Sequence, residues 1–152
     1  MIMESETAMR VVRGVLMVGG TGIVQVLAQL TLSYFMEILP RPRQSSLPTF
    51  YMLAHSVVAV LVLMAGHMLQ VTMWALLYHF DWGEFRTFGS ALYFSLASFT
   101  TVGAAELHLS PGHRMVGALE SAAGMLMFGW STALLVRVVQ RTDRASDRGD
   151  AW

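Results

Sequence analysis

The stretch ALYFSLASFTTVGAAELHLSPGHR, residues 91–114, decides how this chain folds. Its first part completes an apolar run, about Phe85 to Phe99, that reads as a helix but is too short to cross a bilayer core of about 30 Å. Thr100, Thr101, Val102 and Gly103 follow, and then Ala104, Ala105 and Glu106. On either side lies an apolar segment long enough to span, about Phe50 to Tyr78 before it and about Met115 to Val139 after it. Irregular backbone at membrane depth is tolerated only where protein buries it or where it lines a water-filled path. The short helix is therefore expected to be re-entrant, and the loop behind it is a candidate pore lining.

The rest of the chain agrees with a lipid setting. Of its 152 residues 55% are hydrophobic and only 13% charged, a balance that suits a membrane protein better than a soluble domain. All ten basic residues are Arg and ten acids oppose them, so no basic face is available for a nucleic-acid partner. With no cysteine, disulfides and thiolate metal sites are excluded. A further apolar segment, about Gly14 to Met36, is diluted by Gly19, Gly20, Thr21, Gly22, Gln25 and Gln29. Small residues of this kind suit close helix packing in lipid, so this segment too is expected to span. Glu4 and Glu6 precede its first Arg, which makes a poor signal-peptide n-region, and the segment is expected to be retained.

Pro40, Pro42 and Pro48 predict an extended first connection, and the Arg/Asp alternation after Arg141 predicts a frayed, solvated tail. With three spans, that connection and the C-terminus share one side and carry Arg41, Arg43, Arg137, Arg141, Arg144 and Arg148. The other side has Arg10, Arg13, Arg86 and Arg114, so Arg placement favours a cytoplasmic C-terminus and an outward loop.

From about Tyr51 onward, the order helix, short helix, Thr-Val-Gly, helix resembles the pore module of the potassium channel superfamily, in particular small bacterial ion-channel proteins with one extra helix ahead of it. ALYFSLASFTTVG is similar to the family's pore helix running into its selectivity filter, and GHRMVG, residues 112–117, to the outer start of its inner helix. AAGMLMFGWSTALL puts Gly124 at the position of the family's hinge glycine, with Phe128 and Thr132 below it toward the cavity. The resemblance implies an all-α integral membrane protein with three transmembrane helices plus a re-entrant pore helix and filter loop. It further implies a homotetramer around a central pore, since one chain supplies one filter loop. Residues 1–49 then form the N-terminal helix and Pro-rich connection, 50–141 the pore module, and 142–152 a flexible tail. The implied place is the cell (inner) membrane, multi-pass, with lipid and three further copies of the chain as partners. No cofactor is implied beyond permeant cations, K⁺, Na⁺ and Ca²⁺, and pore-helix carbonyls facing the cavity would favour them.

The departure from the family falls in the upper filter, where Ala-Ala-Glu replaces Tyr-Gly-Asp. In the family, glycines let successive filter residues alternate between left- and right-handed backbone. Gly103 supplies one; Ala105 stands at the other, where a left-handed alanine costs about 1–2 kcal/mol, incurred four times in a tetramer. The upper filter is expected to relax, leaving inner sites at Thr101 and Val102. The implied function is a cation channel with weak discrimination among monovalent ions and divalent passage or block. Two alternatives remain: a non-conducting subunit of the same fold, and a K⁺-selective channel.

Glu106 has two readings, an acidic ring at the pore mouth or a brace bonded to pore-helix groups. Glu120, inside the last span, shares a helical stripe with Gly124, Met127 and Ser131; it is expected to tie helices together, with Ser95 or Ser98 as partners, or to sense pH. His55, His67 and His79 recur every twelve residues, about 120° apart on a helix, and cannot share a metal. His67, Gln70 and Trp74 form a packing seam, while His108 two residues past Glu106 is a weak metal pattern. The Met residues of the spans read as packing rather than a copper path. No constellation of nucleophile, base and orienting group occurs, so an enzyme is not expected.

Overall fold

The computed structural model describes residues 2–38 and 48–147, and within them every regular element is helical. The Pro-rich connection at 39–47 and the last five residues, 148–152, lie outside the described residues. Four helices follow one another: α1 Ile2–Ile38, α2 Pro48–Leu76, α3 Phe88–Phe99 and α4 Arg114–Asp147. Three stretches, Ala8–Ile38, Leu53–Asp81 and Arg114–Gln140, are long and apolar enough to cross a membrane, whereas α3 is not.

Helix boundaries depart from the sequence reading where local chemistry decides. Pro48, expected in the extended connection, opens α2, a position where its missing N–H costs no intrahelical bond. α4 runs through Arg141 to Asp147, so residues 142–147, expected in the tail, are helical. Between Arg141 and Gly149 the sequence has no Gly or Pro, and alternating charge alone does not stop a helix. α2 ends in a π-helical turn, Leu77–Asp81, in which the N–H of Trp82 donates to the carbonyl of Leu77 at 3.2 Å. Thr87 then caps α3, its hydroxyl accepting from the N–H of Ser90 at 3.2 Å.

α3 is the element around which the core forms. Ala91, Phe94, Ser95, Ala97 and Phe99 are buried, and an aromatic cluster wraps its upper half. Tyr78 and Phe94 meet edge to face with centroids 5.5 Å apart, and Phe85 lies 5.0 Å from Phe94. α1 packs on both α2 and α4. Gly66 permits this closeness: a β-carbon there would stand 2.9 Å from that of Ala28. Arg13 near the start of α1 pairs with Asp81 at the end of α2 at 2.8 Å, so α1 and α2 run antiparallel and the chain from 81 to 114 lies at the N-terminal end of α1.

Candidate functional site

The loop after α3 begins as a helix terminus. The N–H groups of Thr100, Thr101 and Gly103 donate to the carbonyls of Leu96, Ser98 and Ala97 at 2.9–3.0 Å, and the Thr100 hydroxyl donates to Leu96 at 2.7 Å. The carbonyls expected to face a cavity therefore already cap this turn, using loop N–H groups as helix ends commonly do.

Above that cap the backbone alternates in hand and then stops. Thr101 has φ +61° and Gly103 φ +80°, and Thr101 is the one non-glycine with positive φ among the described residues. A β-branched residue in the left-handed region is strained by about 1–2 kcal/mol, so the surroundings must hold it there. Ala105 does not follow; the carbonyl of Ala104 instead accepts from the N–H of Leu107 at 3.2 Å, closing a turn. Ala104 is buried, while Thr101, Val102, Ala105 and Glu106 are exposed in the single chain. Tyr93 on α3 donates its phenol proton to the Glu106 carboxylate, and this bond together with the carboxylate's charge pushes the phenol up from its ordinary value.

Behind α3, Glu120 is fully buried. One oxygen accepts from the Tyr78 hydroxyl at 2.8 Å and the other meets Ser95 Oγ at 2.5 Å, while Ser95 also reaches the carbonyl of Val71 at 2.8 Å. Three helices thus meet at one carboxyl group. The stripe containing Glu120, Gly124, Met127 and Ser131 is buried along its length. Gly124 abuts the end of α3, since a β-carbon on it would lie 1.9 Å from the carbonyl oxygen of Phe99. Phe128 is partly exposed and packs its ring 4.7 Å from that of His67 and 5.6 Å from that of Phe99. Thr132 is exposed, its hydroxyl donating back to Phe128 at 2.9 Å.

One cluster was not foreseen from the sequence. In the loop before α3, Glu84 accepts from the hydroxyl of Ser110 at 2.6 Å and its N–H at 2.8 Å, and contacts Nδ1 of His113, whose ring stacks 4.1 Å from Trp82. Burial pushes the Glu84 carboxyl up, but the bonds from Ser110 and His113 outweigh it and hold the group below its ordinary range. The turn residues Ser110, Pro111 and Gly112 are the signal that His113 is held by a tight turn; nothing local to Glu84 announces it.

His79 donates through Nδ1 to the carbonyl of Phe85 at 2.9 Å, and among the described residues no three His, Asp or Glu side chains converge as metal ligands. Tight contacts instead gather around one feature: a short apolar helix packed against two long, membrane-length helices, with the loop at its C-terminal end.

No curated protein and no solved structure matches the chain. A family model described as "ion channel" does match, over residues 57–141, which is 85 of the 152 residues and takes in most of α2, all of α3 and its loop, and α4 to Arg141. With three helices able to cross a bilayer, this is a multi-pass membrane protein, and the chain belongs to that ion channel family.

Proposed function

We propose that four copies of this chain form a cation channel of potassium channel architecture in the cell membrane, with an altered selectivity filter. In this reading α3 is the re-entrant pore helix, Thr100 to Glu106 the filter, and α4 the inner helix, with Gly124, Phe128 and Thr132 beside the cavity. The loop faces outward and the C-terminus is cytoplasmic.

The observation that carries this reading is the backbone of residues 101–105. Positive φ at Thr101 and Gly103 is the alternation that turns successive carbonyls to one side, as an ion-stripping filter requires. The turn that begins at Ala104 ends the alternation and engages a carbonyl that an outer ion site would need. Inner sites at Thr101 and Val102 with a relaxed outer half discriminate poorly between K⁺ and Na⁺ and leave Ca²⁺ able to pass or block.

The engaged Ala104 carbonyl also favours a second reading, a subunit of the same fold that does not conduct. Tracer uptake into liposomes holding the purified protein separates the two. Comparable K⁺ and Na⁺ uptake, with Ca²⁺ taken up or slowing both, is the expected result. No uptake of any ion establishes the non-conducting subunit, and a large preference for K⁺ over Na⁺ overturns the altered filter.

A further inference from the structure

α1 lies wholly outside the matched family segment, yet its buried polar side chains are bonded to both α2 and α4. Four side chains from three helices close a ring. Nδ1 of His67 donates to Oε1 of Gln70 at 3.3 Å, and Nε2 of Gln70 donates to Oε1 of Gln25 at 3.0 Å. Nε2 of Gln25 donates to Oγ of Ser131 at 2.9 Å, and the Ser131 hydroxyl donates to Nε2 of His67 at 3.0 Å. Each member donates once and accepts once around the circuit, and all four are buried. One turn further along α1, Gln29 accepts from the indole N–H of Trp130 at 3.0 Å.

α4 is therefore fastened to α3 above one short stretch and to α1 below it, with α2 bonded to it at both levels through Tyr78 and His67. Above it, Glu120 is bonded to Ser95 of α3 and Gly124 abuts Phe99, at the base of the loop. Below it, Trp130 and Ser131 are bonded to α1, and Ser131 also to α2. Between the two attachments lies Gly129, whose missing side chain would meet nothing within 4 Å, in a helix that glycine weakens. Moving α1 relative to α3 must therefore flex α4 across this stretch or break the lower bonds.

We propose that α1 is a positioning helix for the lower half of α4: through Gln25 and Gln29 it sets where that half sits relative to the loop-bearing α3, and so how far the ion pathway is open. The inference rests on the channel reading above. In lipid the freed amide and hydroxyl have no water to replace the lost partner, so each bond resists the displacement.

The test uses the full chain in liposomes, comparing the parent with Gln25→Leu, Ser131→Ala, the pair together, and Ile23→Ala on the exposed face of α1 as a control. Two quantities are read: tracer cation flux, and amide hydrogen exchange over residues 129–138 of α4. In each single variant, exchange and flux are expected to rise about threefold or more, the scale of one interhelical hydrogen bond in a membrane. The pair is expected to exceed the larger single effect by less than the sum of the two, because both changes remove the one bond between Gln25 of α1 and Ser131 of α4, and Ile23→Ala to match the parent. Exchange and flux unchanged from the parent overturn the proposal, as does faster exchange with unchanged flux in a conducting protein. If exchange responds but neither parent nor variants pass any ion, the link from α1 to α4 stands and the channel reading falls. Should Gln25→Leu not fold, Gln29→Leu removes only the more exposed Trp130 contact and is held to the same outcomes.

Discussion

The carbonyl oxygen of Phe99 lies 1.9 Å from where a β-carbon on Gly124 would stand, so α4 crosses the end of α3 backbone against backbone. Glycine is needed here for closeness, whatever bending it also permits. The obstacle is a main-chain carbonyl at the end of a capped helix, and no side chain can swing aside to make room. Gly124→Ala is expected to lower stability by about 1–3 kcal/mol through overpacking and to disturb the Thr101 to Gly103 backbone with it. Gly129→Ala, in the same helix with open space around it, is the control and is expected to unfold at or above the parent's temperature. Thermal unfolding of both variants in detergent decides the matter; equal melting of Gly124→Ala and parent contradicts the contact.

Glu120 is the clamp of the same region. Glutamine keeps its shape, accepting from Tyr78 through the amide oxygen and donating to Ser95 through the amide nitrogen, so Glu120→Gln is expected to stay within about 1 kcal/mol of the parent. Glu120→Leu leaves the Tyr78 hydroxyl buried without an acceptor and is expected to cost about 1–3 kcal/mol. Denaturation of the two variants side by side checks this, and an equal loss in both shows that carboxyl chemistry rather than hydrogen-bond number is required.

Glu84 ties the loop before α3 to the loop after it, and its pH dependence has a definite sign. Its carboxyl is held below the ordinary range, so its stabilisation is fully present above the unfolded value of about 4.3 and is lost as pH falls through the lower folded value. At neutral pH, Glu84→Gln is expected to cost about 1–3 kcal/mol, the scale of hydrogen bonds to a charged group. The gap between variant and parent is expected to close only below about pH 4. Melting temperatures across pH 3–8 provide the measurement; a gap that closes already well above pH 5 contradicts the assignment to the Glu84 carboxyl.

How much of this was legible in the sequence follows from the range of each interaction. The membrane-length helices and the short one between them are written in run length and hydropathy, which are local. The buried face of α4 follows from helical spacing, and Ser95 is nameable as a partner of Glu120 because the resemblance turns that face toward the short helix that carries Ser95 and Ser98. Tyr78 is not nameable, because a π-helical turn at its position shifts the end of α2 away from ideal spacing. The ring of Gln25, His67, Gln70 and Ser131 depends on how three helices are rotated about their axes, which no periodicity within one helix reports. Glu84 and His113 are 29 residues apart in separate loops, and their meeting is a property of the assembled fold.

Glu106 distinguishes the two roles open to it in the proposed filter. Its bond from Tyr93 aligns with the brace, and the same bond raises the phenol, so Glu106→Gln is expected to return one tyrosine toward its ordinary value of about 10. Ultraviolet titration of the four tyrosines in parent and variant reads this directly. If the brace is the whole role, Tyr93→Phe, Glu106→Gln and the double variant share one flux phenotype. Loss of Ca²⁺ sensitivity in Glu106→Gln but not in Tyr93→Phe assigns the carboxylate to an acidic ring at the mouth instead.

Ala105 offers the sharpest test of why the backbone alternation ends where it does. Positive φ at Thr101 and Gly103 continues to no third residue, and an alanine in the left-handed region costs about 1–2 kcal/mol per subunit that glycine does not incur. Ala105→Gly removes that penalty but leaves the turn from Ala104 to Leu107 and the small side chain at 104 in place. The single change is therefore expected to raise K⁺ over Na⁺ discrimination only slightly. Ala104→Tyr with Ala105→Gly supplies both the conformational freedom and a large side chain to hold the loop, and is expected to raise it about tenfold or more, corresponding to about 1.4 kcal/mol. Paired tracer fluxes in K⁺ and Na⁺ measure both variants. If the double variant discriminates no better than the parent, the outer half of the loop is shaped by its surroundings rather than by the residues at 104 and 105.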